Sequence, residues 1–178
     1  MEEERIASFN ESMIEYRKQL EKGTIQKAYQ GLMDYMMSLR SNFEKKYPDY
    51  SVSGNLYLGY MDMTYFSFFP NSLKRQGLKV GVVFVHKTFA FEIWLFGYNK
   101  SVQAKYWKLF KENGYNSYQI PSAIKGVDYI LKGILVENPD FNNLNDLTKQ
   151  IENGTLRFID NVGNFLSKID WDEKWNKQ

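Results

Sequence analysis

Cysteine is absent from the 178 residues and histidine occurs once, as His86. The first absence removes disulfides, thiol nucleophiles and zinc fingers. The second removes HExxH and every site built on two histidine ligands. No apolar run approaches the roughly 20 residues of a membrane helix. The opening Met1-Glu2-Glu3-Glu4 is acidic where a secretory signal carries positive charge. The strings G-x-x-x-x-G-K-[ST], G-x-G-x-x-G and G-x-S-x-G are missing too, and with them the common phosphate cradles and the nucleophile elbow. Aromatic residues, by contrast, make up 17% of the chain, beside 25% charged residues. That balance describes a folded, soluble, cytoplasmic protein rather than a disordered one.

The chain opens with helical spacing. Ile6, Phe9, Met13, Tyr16 and Leu20 form one stripe, which Gly23 ends. With Thr24 as cap, Ile25, Ala28, Tyr29, Leu32, Met36, Leu39 and Phe43 form a second stripe, which must stop by Tyr47 because Pro48 follows. The two read as a helical hairpin. The period then changes. Residues 51–60 and 62–69 are rich in tyrosine, phenylalanine and methionine and read as two strands. Residues 78–86 and 89–97 are the clearest strands, with Lys87-Thr88, or the four residues His86–Phe89, as the turn.

That turn sets a register: Phe84 faces Phe91, Val82 faces Ile93 and Val80 faces Leu95. The opposite face carries Val85, Val83 and Gly81 against Ala90, Glu92 and Trp94. Both faces are apolar, so something must cover the second: helices, a second copy of the chain, or a ligand. Residues 99–112 return to helix. Residues 127–136 fit helical spacing best, with an alternating strand as the rival. A last helix spans 144–169. The class is therefore α+β, a four-stranded antiparallel meander covered by the N-terminal helical hairpin and the C-terminal helices. Residues 1–170 read as one domain, and 171–178 as a charged tail bearing Trp171 and Trp175.

Three chemistries can be drawn from these residues. Glu92 with Trp94, Tyr57, Tyr60, Tyr65, Asp62 and the strand-end His86 forms a candidate ligand pocket, with aromatic walls and an oriented charge. Asp62 and Glu92 together suggest Mg²⁺-dependent hydrolysis or nuclease action. Such nucleases place a lysine two residues beyond the second acid, where this chain has Trp94. The plainer readings are Asp62 as a turn residue and Glu92 paired with a covering lysine or arginine. Third, Lys74, Arg75, Lys100, Lys105, Lys108 and Lys111 lie in a segment, residues 71–114, holding eight basic and two acidic side chains. A basic patch of this kind attracts phosphate, but a net charge of only +2 and few arginines disfavour nucleic acid. No cofactor is implied.

The stretches Gly59-Tyr60-Met61-Asp62-Met63-Thr64-Tyr65-Phe66, Phe91-Glu92-Ile93-Trp94-Leu95, Tyr106-Trp107-Lys108-Leu109-Phe110 and Val136-Glu137-Asn138-Pro139-Asp140-Phe141 together resemble an uncharacterised family of small bacterial proteins, a domain of unknown function. The resemblance covers roughly residues 10–168. It implies a stand-alone prokaryotic cytoplasmic protein and carries no activity with it. The expectation is a non-catalytic binding or interaction domain that meets a small molecule or a protein, with homodimerisation through the second sheet face as one possibility.

Overall fold

A computed structural model describes residues 8–175, with side chains described as far as Ile169. Ile6 and the side chains of Trp171 and Trp175 lie outside the described residues. Contacts divide the chain into two units, residues 1–38 and 39–178. Among the described residues no helix is long and apolar enough to cross a membrane.

The first unit is helical. Helix α1 (Phe9–Glu21) starts on a capping box: the Ser8 hydroxyl accepts from the Glu11 amide at 3.3 Å, and the Glu11 carboxylate accepts from the Ser8 amide at 2.7 Å. Gly23, at φ +69°, ends it. Helix α2 (Thr24–Lys46) follows, and Thr24, read as a cap, is already its first helical residue. As Pro48 requires, α2 ends before Tyr47.

The second unit takes the last turns of α2 and then β1 (Ser51–Val52), β2 (Tyr57–Leu58), β3 (Met63–Phe69), α3 (Asn71–Lys74), β4 (Leu78–Val85), β5 (Ala90–Gly97), α4 (Lys100–Glu112), β6 (Leu131–Val136) and α5 (Leu144–Trp175). All strand pairs are antiparallel, in the order β1-β3-β4-β5-β6, with β2 also on β3. The class is α+β, as the sequence implies, but the sheet has six strands rather than four. Residues 51–60 form no single strand. Their register against β3 slips by two residues between Val52↔Phe68 and Tyr57↔Tyr65, so the chain loops out at Gly54-Asn55 and leaves two short edge pieces. The break read at Pro70-Asn71-Ser72 contains the single turn of α3.

The larger correction concerns residues 127–136, read as helix. Here the rival strand is found, as β6. A Cβ at Gly133 would lie 2.6 Å from the Tyr118 ring and 3.3 Å from Ile93, so the glycine lets a ring and a neighbouring strand close on β6. Lys132 exchanges two backbone hydrogen bonds with Gln119, each 3.0 Å, on the outer side of β6. Beyond that bridge, Ile134 stands 59% exposed at the edge.

The central hairpin keeps its derived register from Leu78↔Gly97 to Val85↔Ala90, closed by the four-residue turn, with Phe89 at φ 52°. One face carries Phe66, Phe68, Val80, Val82, Phe84, Phe91, Ile93 and Leu95, all buried. Phe43 of α2 packs on Phe66 and Phe68 with ring centroids 5.6 and 5.5 Å away, and α5 packs on β4, β5 and β6. Lys46 Nζ, 2.5 Å from Glu152 Oε1, and the Tyr47 hydroxyl, which donates to the same carboxylate, tie the end of α2 to α5. Burial alone would raise the Glu152 pKa, but these two donors outweigh it and the net shift is downward.

On the second face the Phe96 ring lies across Gly81. A Cβ at Gly81 would sit 2.5 Å from Phe96 Cε2. Replacing a strand glycine by alanine normally gains about 0.5–1 kcal/mol, but here the ring must move. Gly81→Ala should instead destabilise by about 1–3 kcal/mol in urea unfolding. The lowered Glu152 pKa makes a second prediction. The unfolded carboxyl binds its proton first, so this contribution is complete above about pH 4.5 and is lost as pH falls. Glu152→Gln should flatten the acid limb of the stability–pH curve.

Candidate functional site

Residues 92 and 94 lie two apart on β5 and so share a face. The Trp94 indole turns back and donates to Glu92 Oε2 at 2.6 Å. Lys132, opposite Trp94 in the β5–β6 register, brings Nζ to 3.5 Å from Glu92 Oε1. Glu92 is only 4% exposed. Both carboxylate oxygens are thus engaged, and the plainer reading of Glu92, a buried acid paired with a covering lysine, describes this geometry.

Around that pair runs an aromatic row. Ring centroids are 4.9 Å apart for Tyr129–Trp94, 5.9 Å for Trp94–Phe96, 5.5 Å for Phe96–Tyr65 and 4.8 Å for Tyr65–Tyr57. Burial raises the Tyr65 phenol pKa, and the nearby Tyr57 and Asp128 add to it. The cover over the second face is largely the chain itself. Helix α4 holds the loop carrying Tyr129, through Gln103 Nε2 donating to the Val127 carbonyl at 2.8 Å and through a 3.4 Å Lys100–Asp128 ion pair.

The other named residues fall elsewhere. Asp62 is a turn residue: its Oδ1 accepts from the Met63 amide at 2.8 Å and its carbonyl accepts from the His86 amide at 3.0 Å. It lies three residues along β3 from Tyr65, and Tyr65 is two strands from Glu92. That places the two backbones about 10 Å apart along the strands and about 10 Å across them. One ion cannot bridge such a pair. Among the described residues no group of three His, Cys, Asp or Glu could hold a metal. His86 faces the Thr64 hydroxyl at 3.2 Å, and burial lowers its pKa while Asp62 pulls it upward. Tyr60 is 99% exposed and stands apart from the row.

The basic segment is engaged locally. Lys74 donates to the Ser51 hydroxyl at 2.9 Å, Lys108 pairs with Glu112 at 3.7 Å, and Lys105 lies 5.3 Å over Tyr106. Lys111 lies 4.6 Å over Trp107 and donates to the Ser122 carbonyl, while the Trp107 indole donates to the Pro121 carbonyl at 2.9 Å. Lys74 and Arg75 belong to α3 and its end, the other four to α4.

Sequence reasoning missed Lys132, Tyr129 and Phe96. Read as helix, β6 could offer no register partner to Glu92. Phe96 continues the alternation of residues 92 and 94, and that signal was available.

A family model described as "Domain of unknown function (DUF7000)" matches residues 9–166. The chain belongs to that family. In this member the matched span contains the Glu92–Trp94–Lys132 cluster and the whole aromatic row. No curated protein and no solved structure matches the chain.

Removing the acid should reveal what it holds. Glu92→Gln keeps an acceptor for the indole and should cost about 1 kcal/mol, whereas Glu92→Leu strands the Trp94 N–H and Lys132 and should cost about 2–4 kcal/mol. Urea unfolding followed by tryptophan fluorescence measures both.

Proposed function

We propose that this domain is a non-catalytic binding or interaction module whose ligand or partner meets the aromatic sheet face at its Tyr57 end. The observation that carries the reading is the combination of a fixed interior and an open rim. Glu92 orients Trp94, and the aromatic row leads outward to Tyr57, which stacks on Tyr65 and is 45% exposed. Large aromatic side chains with few rotatable bonds lose little entropy on binding. Rings held in a row favour a flat apolar group, supplied by a small molecule, a partner protein or a second copy of the chain. A bacterial cytoplasmic setting belongs to the same proposal; a chain without cysteine needs no oxidising compartment. The metal-dependent and nucleic-acid readings draw less support, because Asp62 and Glu92 lie far apart and most of the cations already have local partners.

A thermal-shift panel of small aromatic compounds tests the proposal, since a ligand at a hundred times its Kd adds about 2.7 kcal/mol to the folded state. A stacking ligand should raise the melting temperature of the wild type and not of Tyr57→Ser. Sedimentation of both forms covers the homodimer. If no compound shifts the wild type and neither form self-associates, the proposal fails.

A further inference from the structure

A cleft of about 380 Å³ opens between β6 and α5. That volume is within the range of small-molecule sites. Ile93 and Leu135 form its floor, Tyr118 one wall, and Gln150, Asn153 and Arg157 the rim along α5. Residues 150, 153, 154 and 157 recur at helical spacing, so one stripe of α5 faces the cleft. Two glycines shape it. At Gly154 a Cβ would stand 2.6 Å from Leu135 Cδ2, so the helix closes on the strand there, and Gly133 admits the Tyr118 ring in the same way. Tyr118 is fixed from behind by Phe158, with ring centroids 4.6 Å apart.

Arg157 is the one charged side chain among the lining residues. Arg157 pairs with no carboxylate among the described residues, and its charge reaches the Tyr118 hydroxyl, offsetting part of the rise that burial gives that phenol. Gln150 is already bonded to Asp146 at 2.6 Å, which leaves Asn153 and Arg157 as the donors on the α5 rim. A guanidinium and an amide above an aliphatic floor match a carboxylate with a short apolar body. The guanidinium binds the two oxygens side by side, and the floor takes the carbon skeleton.

We infer that the β6–α5 cleft is a binding site for a small monocarboxylate with an apolar body, held at its charged end by Arg157 and Asn153. The site is separate from the Tyr57 rim.

The test uses the full chain with 3-phenylpropionate as probe, 3-phenylpropan-1-ol as its neutral counterpart, and inorganic phosphate as an anion without an apolar body. Titration calorimetry gives affinity, and amide NMR shifts give location. The acid should bind saturably and move the Tyr118, Leu135 and Asn153 resonances. The alcohol, and Arg157→Gln with the acid, should each bind about tenfold more weakly or worse. Because Arg157 is exposed, the variant should keep the wild-type melting temperature. Tyr57→Ser should leave binding unchanged. The inference is overturned if the acid does not bind, if phosphate binds as well as the acid, or if Arg157→Gln binds normally. Loss of binding in Tyr57→Ser would move the ligand to the aromatic rim and overturn it as well.

Discussion

A carboxylate inside an apolar sheet face is tolerable only while donors remain close to both oxygens, and the second face of this sheet is organised around that constraint. Glu92 takes the Trp94 indole on one oxygen and Lys132 on the other. The first contact fixes the plane of the indole and so its tilted packing against Phe96 and Tyr129, at 53° and 49°. The second links neighbouring strands next to the irregularity in the β5–β6 ladder at Phe91/Glu92. A bulge of this sort re-aims side chains. The acid, the indole and Lys132 are therefore coupled, and an apolar residue in place of Glu92 leaves the Trp94 N–H without its acceptor.

The central hairpin was legible because a period of two over eight residues leaves little choice of register. Phe84 opposite Phe91 and Val82 opposite Ile93 follow from counting back from the turn. The edges were not legible in that way. Residues 51–60 have strand composition throughout, yet only long-range pairing with β3 decides where the chain departs from the ladder. Residues 127–136 satisfy helical spacing through Val127, Ile130, Leu131 and Ile134. What decides for a strand is the room that Gly133 leaves for Tyr118, fifteen positions upstream, and a local window does not contain that fact.

The candidate site divides along the same line. Glu92, Trp94, Tyr65 and Tyr57 stand out from the sequence as a lone acid among rings on strands, and they do come together. Asp62 carries the same aromatic context, yet it serves the turn before β3, where a short carboxylate readily accepts from the following amide. Lys132 was invisible while β6 was read as helix. Tyr129 was hidden as well, because its loop is placed by Gln103 and Lys100 of α4, more than twenty residues upstream.

The Gln119–Lys132 bridge gives the sheet a stopper at its β6 border. Alternation along a strand means that Lys132 and Ile134 turn their backbone groups to the same outer side. An incoming strand could therefore zip onto only a short stretch near Ile134 before meeting Gln119, which already occupies the next place in the ladder. Open sheet borders invite fibrous growth. Here a piece of the same polypeptide holds that position, so endless strand-by-strand stacking is blocked by connectivity rather than by a barrier of repelling charges.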